Sequence, residues 1–203
     1  SVHADAILTG PSCTGPYVLY PGGVPTLVVL AWNTSTSWYL FTSTDGVTWN
    51  KSGAQTLFIG GPSVHGVTVW RGALYGFTHD AGFGAAQLIR WTTNSATVVS
   101  GGVDNPASTQ PYPLCVFNDR LFTITGTIGG DRKLWEFTAG AWVLHATFAA
   151  GKGSFNIDNK WALFVDPVSD NMVAMVTNLS GNVWECYSWD AALSVTNRTA
   201  ATG

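Results

Sequence analysis

The sequence predicts an all-β chain, a β-propeller of four four-stranded blades with an additional N-terminal strand. Three observations carry the prediction. Pairs of apolar residues two apart, the spacing that sets both on one side of a strand, recur at a period near fifty residues. Turn-forming residues stand at matching places between the pairs. Aromatics make up 13% of the 203 residues, with 10 Trp and 23 Gly, while only 10% are charged, the profile of a β-rich chain with many tight turns.

The second strand of each unit is marked by Val28/Leu30, Tyr75/Phe77, Phe122/Ile124 and Val173/Met175, whose leading members lie 47, 47 and 51 residues apart. The third strand follows at Tyr39/Phe41, Ile89/Trp91, Trp135/Phe137 and Trp184/Cys186, with trailing members spaced 50, 46 and 49. An apolar segment precedes each pair of strands, at Tyr17 to Tyr20, Val67 to Trp70, Leu114 to Phe117 and Trp161 to Val165. A fourth strand is expected at Val47 to Trp49, Ala96 to Val99, Trp142 to Leu144 and Leu193 to Val195. Arg71-Gly72 and Asn118-Asp119 suit two-residue hairpins, because Gly, Asn and Asp accept the positive φ of primed turns. Pro21-Gly22-Gly23 and Asp166 to Asn171 supply longer reversals, and Thr44-Asp45-Gly46, Asn94-Ser95, Gly140 and Asp190 join the third strands to the fourth.

The units therefore cover about 15–57, 63–100, 110–148 and 158–199, each an antiparallel meander that hides its aromatics against the next. The in-strand Trp residues, Trp135 and Trp184 among them, are expected in the core, each removing roughly 150–250 Å² from water. Residues 1–14 fall outside the repeat. Within them Ala6-Ile7-Leu8 reads as a spare strand ahead of Gly10-Pro11, able to complete a blade of its own chain or to join a sheet edge on a neighbour.

The formal charge of −3 and the nine scattered basic residues offer no footprint for nucleic acid, and no apolar run is long enough to span a bilayer. Ser1 opens the chain without the basic and apolar regions of a signal peptide, as in a processed secreted chain or an excised piece. Asn33, Asn178 and Asn197 each begin a glycosylation sequon. Three cysteines allow at most one internal disulfide. The readings are buried thiols at Cys115 and Cys186, or a bridge from Cys13 to Cys186.

Ser43-Thr44-Asp45-Gly46-Val47-Thr48-Trp49 resembles the Asp-box of sialidase-like propellers, Ser/Thr-x-Asp-x-Gly-x-Thr-Trp, shortened by one residue. In that family the box fastens a hairpin, so the resemblance implies fold. It covers one of the four equivalent hairpins. A sialidase would also need three clustered arginines and a Tyr nucleophile with a carboxylate partner. This chain has five Arg and no Arg-Ile-Pro segment near its start.

No catalytic set is expected. No zinc, phosphate-loop or nucleophile-elbow motif occurs, and His3, His65, His79 and His145 lack metal-site spacing. Asp166, Asp170 and Asn171 read as a hairpin loop rather than a calcium site. Glu136 and Glu185, the only two glutamates, read as equivalent outer positions of the third strands in neighbouring units. No cofactor is implied. The loops after the second strands are expected to share one recognition face, with Trp32, His79, Asp80, Phe83, Asp131 and Arg132 as candidate ligand contacts. The leading reading is a non-enzymatic extracellular structural or adhesive glycoprotein module that self-assembles by N-terminal strand exchange. The alternative is a lectin-like propeller binding carbohydrate or protein, and the third reading is a fragment of a sialidase-like glycosidase.

Overall fold

The computed structural model describes residues 12–32, 37–52, 55–56, 63–79, 87–93, 95–100, 113–126, 131–148, 162–178 and 183–198. These residues form four antiparallel sheets in chain order. The first holds β1 (Ser12–Leu19), β2 (Thr26–Trp32) and β3 (Ser37–Ser43), with β4 (Asn50–Lys51) and β5 (Gln55–Thr56) both paired to β3. The second is β6 (Ser63–Trp70), β7 (Ala73–His79), β8 (Gln87–Trp91) and β9 (Ala96–Ser100). The third is β10 (Leu114–Phe117), β11 (Arg120–Gly126), β12 (Arg132–Thr138) and β13 (Ala141–Phe148). The fourth is β14 (Ala162–Val165), β15 (Met172–Asn178), β16 (Val183–Trp189) and β17 (Val195–Asn197). Each sheet is a meander in which sequence neighbours pair, save that β5 pairs with β3 and not with β4, and no α-helix occurs among the described residues.

The turn chemistry works as the sequence predicts. Arg71 and Gly72 take φ of 46° and 74°, and Asn118 and Asp119 take 50° and 56°, the paired positive values of a two-residue primed hairpin. Asp166 accepts the amides of Val168 and Ser169, closing the β14–β15 reversal as a turn.

The chain divides into two compact units, Ser1–Gly102 and Val103–Gly203. In the first, Val28, Leu30, Trp38 and Leu40 of one blade pack on Leu74, Ile89 and Trp91 of the next. Gly76 leaves room on β7 for side chains of the two strands that flank it, β6 and β8. A Cβ there would meet Val67, Val64 and Trp91 at 3.0, 3.1 and 3.2 Å. In the second unit, Phe122, Ile124, Leu134 and Phe148 of the third blade pack on Ala174, Val176, Tyr187 and Trp189 of the fourth.

Several expectations need correction. Val47 to Trp49 is not a strand, because Asp45 takes the amides of Val47 and Thr48 and withholds them from the ladder, which resumes at Asn50. The last strand starts at Val195 rather than Leu193, because Asp190 takes the amides of Ala192 and Ser194 and Leu193 adopts φ 61°. Trp184 is 50% exposed, unlike Trp38, Trp91 and Trp189, because it projects from the face of β16 opposite the core. The cysteines are all thiols, so the Cys13 to Cys186 bridge is not formed. Cys13 pairs across its ladder with Ala31 and Cys186 with Met175, so neither stands opposite a second cysteine there. Cys115 is buried, which pushes its thiol up to about 12, while Cys186 is only half-buried. The proposed strand at Ala6-Ile7-Leu8 lies outside the described residues.

Candidate functional site

The β10–β11 hairpin ends on Asn118-Asp119, so Arg120 is the first residue of β11 and shares a face with Phe122 and Ile124. On the adjacent strand, Glu136 lies directly opposite Phe122. A register shift between Leu134 and Trp135 in the β12–β13 ladder brings His145 round to the same carboxylate.

Arg120 grips Glu136 in a fork, Nε to Oε1 at 2.8 Å and Nη2 to Oε2 at 2.5 Å. His145 Nε2 sits 2.5 Å from the same Oε2, and since a carboxylate only accepts, the imidazole donates there. Arg120 Nη2 also lies 3.4 Å from that imidazole nitrogen. The guanidinium rests 5.2 Å from the Phe122 ring centre, and His145 meets the same ring edge-on. The Arg120 side chain is 36% exposed, His145 26% and Glu136 12%, so the cluster is anchored in the sheet yet open to solvent on its cationic side. The hydrogen bonds from Arg120, and after them that from His145, hold the Glu136 carboxyl below the usual carboxylate range against the opposing effect of burial.

A second polar group lies deeper in the same inter-blade space. Arg132 is 1% exposed and extends from the face of β12 that carries Leu134 and Glu136. Opposite it, the fourth blade contributes Glu185 and Tyr187, 5% and 6% exposed. The Tyr187 hydroxyl donates to Glu185 Oε2 at 2.7 Å, and Glu185 offsets the Arg132 charge. Burial, then the bond to Glu185, raises the phenol well above its ordinary pKa, so it stays protonated. Desolvation lowers the Arg132 value.

Two readings from the sequence are corrected by this geometry. Arg132 is not on a solvated loop, since β12 starts at that residue and strand alternation turns it inward. Glu136 and Glu185 are not equivalent outer positions. They project from opposing sheets, each from the face that lines the space between the third and fourth blades, and both are buried. Of the other expected contacts, Trp32 is half-buried at the end of β2 and stacks on Trp38 at 5.1 Å, and Asp131 is half-buried ahead of β12. His79 ends β7, while Asp80 and Phe83 lie outside the described residues. Asn197 is exposed in β17, Asn178 closes β15, and Asn33 lies outside the described residues. Among the described residues no three His, Cys, Asp or Glu side chains gather as metal ligands, and no helix is long and apolar enough to cross a membrane.

Sequence reasoning set His145 aside for its spacing and Glu136 for its repeat position. The two-residue hairpin fixes only the β10–β11 register and so the common face of Arg120 and Phe122, while the pairing of Phe122 with Glu136 belongs to β11 and β12.

The four antiparallel meanders, together with the likeness to the solved structures below, define the chain as a β-propeller in fold. The solved structures it resembles include the fucose-specific lectin from Aleuria aurantia, aligned over 88% of this chain and 59% of that one, at 11% identity and a TM-score of 0.53. A mutant of that lectin in complex with α-methyl-L-fucoside aligns over 93% of this chain and 59% of its own, at 10% identity and 0.53. The same mutant in complex with Fucα1-6GlcNAc aligns over 93% and 60%, at 11% and 0.53. The chain thus spans about three fifths of these lectins' length. No protein-family model and no curated protein sequence matches it.

Proposed function

We propose that this chain is a carbohydrate-binding, lectin-type propeller that holds sugars without transforming them, with Arg120 and Glu136 as its contacts and His145 bonded behind Glu136. The observation that carries the reading is the solvent-facing fork of Arg120 on Glu136, backed by Phe122. Glu136 accepts three hydrogen bonds from these partners, which leaves lone-pair capacity at Oε1 for a sugar hydroxyl to donate into. Arg120 uses Nε and Nη2 on the carboxylate, so Nη1 is placed to donate to a neighbouring hydroxyl. A donor beside an acceptor suits a pair of adjacent hydroxyls. The fold shared with fucose-binding lectins supports the same class.

Binding rather than catalysis is favoured by the protonation states. Glu136 is held ionised and cannot serve as a general acid near neutrality, and Tyr187 is held as a neutral phenol, unsuited to nucleophilic attack. We place the chain outside the cell or on a cell or particle surface. A glycan on Asn197 in the native protein, read by mass spectrometry, tests that placement. The self-assembly reading drew on Ala6 to Leu8 and gains no support from the described residues, so it stands second.

A glycan array is the direct test. Wild type binds a set of sugars, and Glu136→Gln loses roughly tenfold or more in affinity, as expected for charge-assisted hydrogen bonds. Equal binding by the two proteins, or no binding by either, removes the site. Hydrolysis of a fluorogenic glycoside would restore the glycosidase reading.

A further inference from the structure

His145 does more than fill space beside Glu136. Its Nε2 must carry a hydrogen to approach a carboxylate oxygen at 2.5 Å, in the neutral ring and in the imidazolium alike. The contact therefore survives a change of protonation, while the charge of the cluster does not. With a neutral ring, Arg120 and Glu136 cancel. With an imidazolium, two cations share one carboxylate, the cluster carries one net positive charge, and 26% of the His145 side chain and 36% of the Arg120 side chain face water.

The charged groups touching His145 are Arg120 on β11 and Glu136 on β12, and Phe122 on β11 packs edgewise on its ring. On the facing blade, Glu185 is engaged by Arg132 and Tyr187, and Asp166 by its own turn and the charge of Arg198. The electrostatic change on protonation is thus directed at whatever occupies the open side of Arg120.

We infer that His145 is a positioning residue that makes the charge preference of the sugar site depend on pH, admitting neutral glycans at neutral pH and favouring sulfated or carboxylated ones in acid. The inference rests on the carbohydrate reading of this site. Its physical basis is the geometry above, one carboxylate shared between a guanidinium and an imidazole that donates to it in either protonation state. Glu136 keeps its charge in mild acid, because its partners hold it below the usual carboxylate range.

The experiment uses the full chain on an array carrying neutral glycans beside their sulfated forms, read at pH about 7.5 and about 5. The ratio of sulfated to neutral binding is expected to rise on the order of tenfold in acid for wild type. His145→Gln, whose amide still donates to Glu136 but gains no charge in acid, should show a flat ratio. His145→Ala should lose neutral binding as well, because the carboxylate is no longer held. A flat wild-type ratio with good glycan binding overturns the inference and leaves the carbohydrate reading intact, as does an acid-dependent ratio that persists in His145→Gln. Absence of glycan binding at both pH values overturns both.

Discussion

Asp45 shows how much one short side chain can organise. Its Oδ1 accepts the amides of Val47 and Thr48 at 2.8 and 2.7 Å, and Ser43 Oγ at 2.9 Å, while Ser43 receives the Gly46 amide. Those bonds, led by the Thr48 amide, hold the Asp45 carboxyl far below its ordinary value. A depressed carboxyl contributes stability above the ordinary aspartate range and loses it as pH falls toward the folded value. Asp45→Ala should therefore melt below wild type at neutral pH, with the gap closing in strong acid; calorimetry across pH checks this. Tyr187 titrates in the opposite sense. Its raised phenol contributes stability below pH about 10, which is lost as pH rises past that value and the unfolded tyrosine ionises. Tyr187→Phe should cost about 1–3 kcal/mol in urea unfolding, because Glu185 keeps its burial and loses a donor. The same variant should lose less stability than wild type between neutral pH and alkali.

Each blade is a meander whose strands are set by their turns, and the turns also decide which side chains meet. The Asn118-Asp119 hairpin starts β11 at Arg120, so that Arg120 and Phe122 share a face, the β11–β12 register sets Glu136 opposite Phe122, and the irregular β12–β13 pairing delivers His145. In the first unit β7 carries Gly76 where the side chains of Val64, Val67 and Trp91 close in. Gly76→Ala forces those groups apart, and overpacking of this kind costs about 1–3 kcal/mol. A lowered urea midpoint with an unchanged denaturant slope is the expected record, and no loss would mean that the side chains of β6 and β8 yield more readily than their contacts imply.

In each of the two units, apolar packing between its two sheets dominates, with the buried set of Arg132, Glu185 and Tyr187 inside it in the second unit. A buried ion pair adds little net stability, yet breaking it is costly. Arg132→Ala should cost about 3–5 kcal/mol, whereas Arg132→Met with Glu185→Leu and Tyr187→Phe should fold with stability close to wild type. Equilibrium unfolding of both variants separates these outcomes. The period near fifty residues, the two-residue turns and the strand positions were legible in the sequence, because strand alternation and positive-φ turns are local properties of a few consecutive residues. The displaced fourth strand of the first blade was not, since the competition between the Asp45 carboxylate and the ladder for the same amides depends on folded geometry. Nor was the candidate site. Arg120, Glu136 and His145 lie 16 and 9 residues apart along the chain, and only strand pairing with its irregular register brings them onto one carboxylate. Sequence alone thus determined the repeated sheets. The tertiary structure decided which charges face one another, because partner choice depends on register and on the neighbouring blade, and neither is written in any short stretch of residues.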